Sequence, residues 1–284
     1  MSAQAGGSLH VVATPLGNLG DLSRRAIEVL TAVGLVAAED TRATRGLLEA
    51  FAIKTRLVSL HEHNEERRLP ELLRHLRAGQ DLALVSDAGT PGVSDPGARL
   101  VAAVRAAGLN VRAVPGPSAV TAALSVSGFN ADRYVFAGFP PPKGAARRAL
   151  LARAATEPWS VVLFEAPHRV RRSVAELAEL APDRPALVAR ELTKLHEETR
   201  QASLSELSAW LGEREPRGES TLVLGPVAAA PPALDLDRAV EDARSRLRAG
   251  QSRSEAARDA SRGVKGLRRQ VYRALGAAAG EGEE

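Results

Sequence analysis

Residues able to hold or transform a ligand collect in five short polar stretches of this 284-residue chain. They are Thr14-Pro15-Leu16-Gly17-Asn18, Glu39-Asp40-Thr41-Arg42, His61-Glu62-His63-Asn64-Glu65, the run DAGTPGVSDPG at 87–97, and Pro115-Gly116-Pro117-Ser118-Ala119. His61 and His63 offer two imidazoles, but no third ligand lies nearby, so no metal site is expected. Asp87 and Asp95 also suggest a metal. The glycines and prolines between them instead describe a tight loop that bares backbone N–H groups to a ligand. Neither GxGxxG nor GxxxxGK[ST] occurs, so NAD or ATP bound in the usual way is not expected. The chain has no cysteine, which excludes disulfides, thiolate zinc and thiol catalysis and fits a reducing compartment.

Each polar stretch follows an apolar run. Strands are predicted at 9–14, 35–38, 57–60, 82–86 and 111–114, with helices at 22–33, 42–50, 65–77 and 97–107 between most of them. Asp21 is placed to cap the first helix, whose Leu22, Ala26, Val29, Leu30 and Val33 share one face. Strands alternating with helices imply a mostly parallel sheet, in which ligands bind outside the carboxyl ends of the strands. That topology brings the five stretches to one edge. After a break at 115–118 the pattern resumes, with strands at 134–137, 161–164, 186–189 and 221–224 and helices at 145–155, 170–180 and 205–211. This reads as a second α/β domain.

The segment 227–236 (VAAAPPALDL) reads as a linker. Beyond it no strand signal remains, and helices are predicted at 238–248, 254–260 and 265–275. Gly250 and Gly263 punctuate them, and Ser252 or Ser254 caps the second. Short helices at this spacing resemble a helix-turn-helix. The expected organisation is 1–118, 119–226, linker 227–236, a basic helical domain 237–276, and a disordered tail 277–284.

Hydrophobic residues make up 44% and charged residues 25%, as in a globular protein. Aromatics are only 3%, so Leu, Val and Ala fill the core, and stacking on an aromatic platform is not the expected main mode of RNA binding. Net charge is +4, yet 238–275 alone carries eleven Lys and Arg against four Asp and Glu. The basic charge is therefore concentrated in the tail, an asymmetry that a GC-rich genome does not predict. The N-terminus has no basic segment followed by an apolar run, and no apolar stretch approaches the roughly 20 residues of a membrane span. A soluble, cytoplasmic protein without membrane association is expected.

The strings VATPLGNLGDLSRRAIEVL, AAEDTRATRGLL, LVSDAGTPGVSDPGARLV and VPGPSAVTAALSVSGF resemble the tetrapyrrole methylase superfamily. FAGFPPPKGAARR, FEAPHRV, ARELTKLHEE and GESTLVL resemble its ribosomal branch. The resemblance implies two α/β domains unlike the Rossmann methylases, with a cofactor cleft between them and a small C-terminal helical domain. It also implies S-adenosylmethionine in that cleft, a homodimer, and 2′-O-methylation of a cytidine in 16S rRNA of the 30S subunit. Carried over by motif, the cofactor residues are Pro15, Asp87, Ala88, Gly89, Thr90, Val93, Ser94, Ser118 and Ala119. Phe164, Leu192 and Thr221 sit at matching strand ends of the second domain. Ala166 replaces a serine often found in the family, so no hydroxyl function is assigned there.

The implied reaction is an in-line attack of a ribose 2′-oxygen on a sulfonium methyl, for which alignment matters most. A proton acceptor or a nearby cation helps a weak hydroxyl nucleophile. Candidates are Asp40, Arg42, Glu165, His168, Arg169, Glu191 and Lys194. Glu191 or His168 would take the proton; Lys194, Arg42 or Arg169 would stabilise the alkoxide or hold a phosphate. Arg147 and Arg148 open a helix after a proline-rich turn and are expected on RNA phosphate, as are Arg253, Arg258, Arg268 and Arg269 of the tail. Two other readings compete: a methylase of acidic corrin or sirohaem precursors, and a DNA-binding regulator led by the tail. The AEDTR, SDAGTPG and HEHNE strings favour the RNA branch, and a tail of about 40 residues leaves the strand-end loops unexplained.

Overall fold

A computed structural model describes residues 6–212, 218–227, 236–261 and 266–277. The chain divides into two compact units, Met1–Val227 and Ala228–Glu284.

The first sheet holds β1 (Ser8–Val12), β2 (Leu35–Ala38), β3 (Leu57–Ser59), β4 (Leu82–Val85) and β5 (Asn110–Val114). Their order is β3-β2-β4-β1-β5, and every pairing is parallel. Parallel sheets need cover on both faces, and the alternation of side chains supplies it. Val36, Ala38, Ala83 and Val85 pack against α1 (Arg24–Ala32) and α2 (Thr41–Ala50) through Ala26, Leu30 and Leu48. Their neighbours Leu35, Ala37, Leu82 and Leu84 face α3 (Glu65–Arg77) and α4 (Ala98–Ala106) through Leu72, Leu76, Leu100 and Val104. The cap of α1 is Ser23, whose hydroxyl accepts from the Ala26 N–H at 3.1 Å, and not Asp21. Asp21 ends a single 3₁₀ turn, Leu19–Asp21, and the chain is extended at Leu22 before α1 begins.

The second sheet holds β6 (Tyr134–Gly138), β7 (Ser160–Glu165), β8 (Pro185–Arg190), β9 (Glu198–Ser203) and β10 (Ser220–Leu224) in the order β6-β7-β10-β8-β9. Only the β6–β7 pairing is parallel; the other three are antiparallel. One face is covered by α6 (Gly144–Thr156), α7 (Pro167–Leu180) and α8 (Leu204–Gly212), which bury Leu151, Val174, Leu177, Leu207 and Leu211 on it. The other face receives α5 (Ala119–Ser127) through Val120, Ala123 and Leu124. Neither α5 nor β9 was predicted from sequence.

The second unit is a three-helix cluster of α9 (Leu236–Arg248), α10 (Arg253–Ala260) and α11 (Leu267–Ala277). Ala239, Val240, Ala243, Ala256, Ala257, Leu267, Val271 and Leu275 form its own small core. Ser252 caps α10 in a reciprocal box with Glu255. Leu236, expected in the linker, already begins α9. The rest of the linker after Val227, Gly263, Lys265 and the terminal residues from 278 lie outside the described residues. Among the described residues no helix is long and apolar enough to cross a membrane.

Candidate active site

Four of the five polar stretches meet at one cavity of about 390 Å³, a size suited to a small-molecule ligand. Leu16, Glu39, Asp87, Ala88, Gly89, Thr90, Val93, Asp95, Ser118 and Ala119 line it from the loops of the first sheet. Phe139, Phe164, Glu165, Ala166, Pro167, Glu219, Ser220 and Thr221 line it from the second. The remaining stretch, His61–Glu65, is structural. Asn64 accepts from the His61 N–H at 2.9 Å, and buried Glu65 accepts from the Leu100 N–H at 3.1 Å, tying α3 to α4. No group of three metal-ligating side chains occurs among the described residues.

The loop after β4 is pinned on two sides. Thr14 and Gly89 exchange backbone hydrogen bonds at 2.8 and 3.0 Å, and the Thr90 hydroxyl donates to the Pro117 carbonyl at 3.2 Å. Gly89 has φ +83°, and Leu16 would meet an added Cβ at 3.4 Å, so the loop turns closely against the β1 loop. Asp87 Oδ1 accepts from the Asp40 N–H at 3.0 Å, joining the β2 and β4 loops.

Besides Glu165, four carboxylates line the cavity: Glu39, Asp87, Asp95 and Glu219. Burial, reinforced by Asp87 and Asp95, holds Glu39 above the ordinary carboxylate value. Burial likewise raises Asp95, with Asp87 and Glu219 adding to it against an opposing hydrogen bond from Ser86. Glu39, Asp87 and Asp95 form no ion pair among the described residues. Ser220 Oγ is buried without a hydrogen-bond partner among the described residues. The cavity thus presents uncompensated negative charge and an unmet polar atom, which fits a ligand bearing a cation and hydrogen-bonding groups.

The opposite wall is neutralised. Glu165 is 2% exposed and pairs with Arg169 at 2.8 Å and with Arg147 at 3.6 Å, and it also accepts from the Ser173 hydroxyl. Arg147 is itself 2% exposed and donates to Glu176 at 2.7 Å, to Ser173 Oγ at 2.8 Å and to the Pro141 carbonyl at 3.2 Å. This corrects the expectation that Arg147 contacts RNA: its guanidinium is spent inside the protein. Arg148, the next residue, is exposed.

Glu191 and Lys194 form a second cluster at the end of β8. Lys194 Nζ lies 3.0 Å from Glu191 and 3.3 Å from Glu219. Burial opposes the charge on Lys194, but the two carboxylates outweigh it and hold its pKa above the ordinary value. Burial would raise Glu191, but Lys194 and the Glu219 N–H outweigh it and hold it low. Glu191 and Thr193 take left-handed φ values of 49° and 66°. A Cβ on Gly17 would meet the Lys194 side chain at 2.4 Å, and one on Gly218 the Glu191 carboxyl group at 2.2 Å.

The remaining candidates are dispersed. Asp40 caps α2, and its carboxyl is held low by the Arg42 N–H; Arg42 itself is almost wholly exposed. His168 is exposed in the first turn of α7. Nine of the twelve expected cofactor residues line the cavity; Pro15, Ser94 and Leu192 do not. Pro15 is buried, Leu192 packs behind the wall with Val93 and Phe164, and the Ser94 hydroxyl abuts Gly138. Sequence reasoning did not assign Leu16, Glu39, Asp95, Phe139, Ala166, Pro167, Glu219 or Ser220 to the site, although each adjoins or falls within a quoted motif.

The family model described as tetrapyrrole (corrin/porphyrin) methylases matches residues 8–208. The chain belongs to the tetrapyrrole methylase family. Curated relatives within that family carry the name ribosomal RNA small subunit methyltransferase I. One from Synechocystis sp. is 45% identical over 94% of this chain and 96% of its own length. Another from Micromonospora olivasterospora is 50% identical over 82% of this chain and 74% of its own. Among solved structures, a diphthine synthase aligns with TM-score 0.60 at 18% identity, covering 77% of this chain and 90% of its own. A uroporphyrin-III C-methyltransferase from Thermus thermophilus, complexed with S-adenosylhomocysteine, aligns with TM-score 0.55 at 22% identity over 77% and 97%. At those identities the two structures establish the shared methylase fold.

Proposed function

We propose that the chain is an S-adenosylmethionine-dependent methyltransferase of small-subunit ribosomal RNA whose acceptor is the 2′-oxygen of a cytidine in 16S rRNA. The observation that carries the cofactor is the cleft lined by Glu39, Asp87, Asp95 and Glu219, whose negative charge has too little cation to balance it. The names of the relatives carry the substrate. When bound, S-adenosylmethionine supplies an electrophilic methyl on a sulfonium leaving group.

The chain's own residues then align and shield. The 87–94 loop, pinned through the Gly89 backbone and the Thr90 hydroxyl, walls the ligand, and the Ser220 hydroxyl, without a partner among the described residues, offers it a hydrogen bond. Lys194 stays charged and stabilises a developing alkoxide or holds a phosphate, while Glu191, kept low and engaged, orients Lys194 and does not take the proton. His168 is then the candidate proton acceptor, exposed and without a hydrogen bond among the described residues. Asp40 caps a helix and Arg169 neutralises Glu165, so both act as positioning residues.

RNA contact is assigned to Arg148 and to the tail. Arg268, Arg269, Ser254 and Tyr272 surround an open hollow in the three-helix unit. Arg253 lies 4.4 Å from the centre of the Tyr272 ring and donates to its carbonyl, and Arg258 pairs with Asp259 at 3.3 Å. A cytoplasmic homodimer acting on the 30S subunit completes the proposal. The test is methyl transfer from radiolabelled S-adenosylmethionine to 30S subunits from a strain lacking the gene, followed by nuclease digestion and mass spectrometry. Label in 2′-O-methylcytidine supports it. Cofactor binding without label in RNA contradicts it and favours a tetrapyrrole acceptor.

A further inference from the structure

Phe139 is about half exposed (51%) and yet lines the cavity. It is the most exposed aromatic among the described residues, and the exposed rings Tyr134, Trp159 and Tyr272 do not line the cavity. One side of it packs on Phe164, with ring centres 5.4 Å apart, and Phe164 is backed in turn by Phe136 at 4.9 Å. The backbone that carries it is fixed on both sides. Gly138, with φ +65°, abuts the Ser94 hydroxyl across the cleft. Pro140 is buried, its carbonyl accepting from Arg169 at 3.3 Å, and the Pro141 carbonyl accepts from buried Arg147. The Glu165 network therefore holds a partly exposed aromatic still at the mouth of the cleft. Lys143 and Arg148 follow on the same segment, both exposed and without an ion pair among the described residues.

We propose that Phe139 is the platform on which the base of the acceptor nucleotide stacks, with Lys143 and Arg148 drawing its flanking phosphates. The proposal rests on the RNA-methyltransferase reading and adds the residue that seats the nucleotide. An enzyme that must bring one ribose to a buried methyl group has to draw that nucleotide away from its neighbours. A preorganised aromatic face offsets the lost stacking. Phe164 lies further in and serves as the wall for the cofactor; Phe139, at the open edge, faces whatever enters second. Sequence composition argued against an aromatic platform as the main RNA-binding mode, and one ring at the reacting nucleotide is compatible with that, since the tail supplies the bulk attraction.

The experiment compares the full-length wild type with Phe139→Leu, Phe139→Tyr and Phe139→Trp. It measures steady-state methylation of unmodified 30S subunits, S-adenosylhomocysteine affinity by calorimetry, and thermal unfolding as a check on folding. The expected result for Phe139→Leu is a KM for 30S subunits raised roughly tenfold, with S-adenosylhomocysteine affinity unchanged. Tyr and Trp should restore the KM. Weakened S-adenosylhomocysteine binding with an unchanged KM would make Phe139 part of the cofactor wall and overturn the proposal, as would a Leu variant indistinguishable from wild type. If Phe139→Leu fails to fold, the Tyr and Trp variants decide: a KM raised tenfold in both despite an intact ring face would also overturn it. A wild type that binds cofactor but never labels RNA would instead remove the underlying reading.

Discussion

Glu165 is almost wholly buried and carries two arginines, whereas Glu39 and Asp95 on the facing wall are less buried and carry none. The two walls of one cleft thus treat negative charge in opposite ways. On the Glu165 side, hydrogen bonds and guanidinium groups neutralise the carboxylate, and the result is a rigid frame for the β7–α7 turn and the Pro140–Pro141 carbonyls. On the Glu39 side, burial first and then the proximity of like charges raises the carboxyls; hydrogen bonds oppose the shift, and no guanidinium or ammonium among the described residues pairs with Glu39 or Asp95. A compensated buried charge marks architecture; an uncompensated one at a cavity marks where a cation is meant to sit.

The largest effect should come from breaking the compensated wall. Arg147→Met leaves Glu165 buried with only Arg169, and should cost about 3–5 kcal/mol in denaturant unfolding, as loss of one partner of a buried pair does. Adding Glu165→Gln should recover part of that. A loss under about 1 kcal/mol would mean that Glu165 is solvated, and the contrast between the walls would fail. Next comes the neighbouring pair of arginines. Arg148→Ala should weaken 30S binding severalfold and lower the salt dependence by close to one unit of slope, whereas Arg147→Lys should leave that slope unchanged. Arg268→Ala with Arg269→Ala should lower the slope further, by roughly two units.

A smaller effect is expected at the Glu191–Lys194 cluster. Gly218 has φ +73°, and a Cβ there would meet the Glu191 carboxyl group, so Gly218→Ala should displace Glu191 and release Lys194. Its kcat should fall about tenfold with little change in S-adenosylhomocysteine affinity, read by single-turnover kinetics and calorimetry. An unchanged kcat would show that Lys194 is not part of the reaction.

These contrasts were only partly legible in the sequence. The apolar runs place nine of the ten strands, because central strands such as β2, β4 and β10 are continuous or nearly continuous Val, Leu and Ala and the less buried β5 and β6 still carry Val, Ala or Phe. The polar edge strand ETRQAS of β9 has no such run, since only one side of it meets the sheet. Helix α5 hides behind Pro115-Gly116-Pro117, whose punctuation reads as a break; the alanine-bearing segment after it is a helix end-stopped by Gly128 at φ +66°. Arg147 was readable in principle. It stands four, seven and eight residues before Leu151, Ala154 and Ala155, on the buried stripe of α6, while Arg148 falls off it. Glu39 and Asp95 sit inside quoted motifs, but their raised pKa values arise first from burial and then from carboxylates that the fold brings together, Asp87 and Asp95 beside Glu39 and Glu219 beside Asp95, which no local pattern discloses.

The pH dependence follows from the same wall. The folded-state pKa values of Glu39 and Asp95 lie above their ordinary ones, so the apo protein binds protons more tightly folded than unfolded. Its stability should therefore rise as pH falls from neutral into the window between the ordinary and the raised values. In that same window S-adenosylmethionine affinity should fall, because the carboxylates lose the charge that attracts it. Glu39→Gln should flatten both trends and raise the apo Tm slightly, by roughly 1 °C after allowance for its partial exposure.

The most direct measurement is calorimetry of S-adenosylmethionine and S-adenosylhomocysteine binding to the wild type, Glu39→Gln and Asp95→Asn at neutral pH. The two ligands differ by the sulfonium charge and its methyl. If the uncompensated carboxylates hold that cation, each substitution should weaken S-adenosylmethionine by roughly threefold to tenfold and S-adenosylhomocysteine distinctly less. Equal losses for both ligands, or none for either, would contradict the account of the cleft as a cation site.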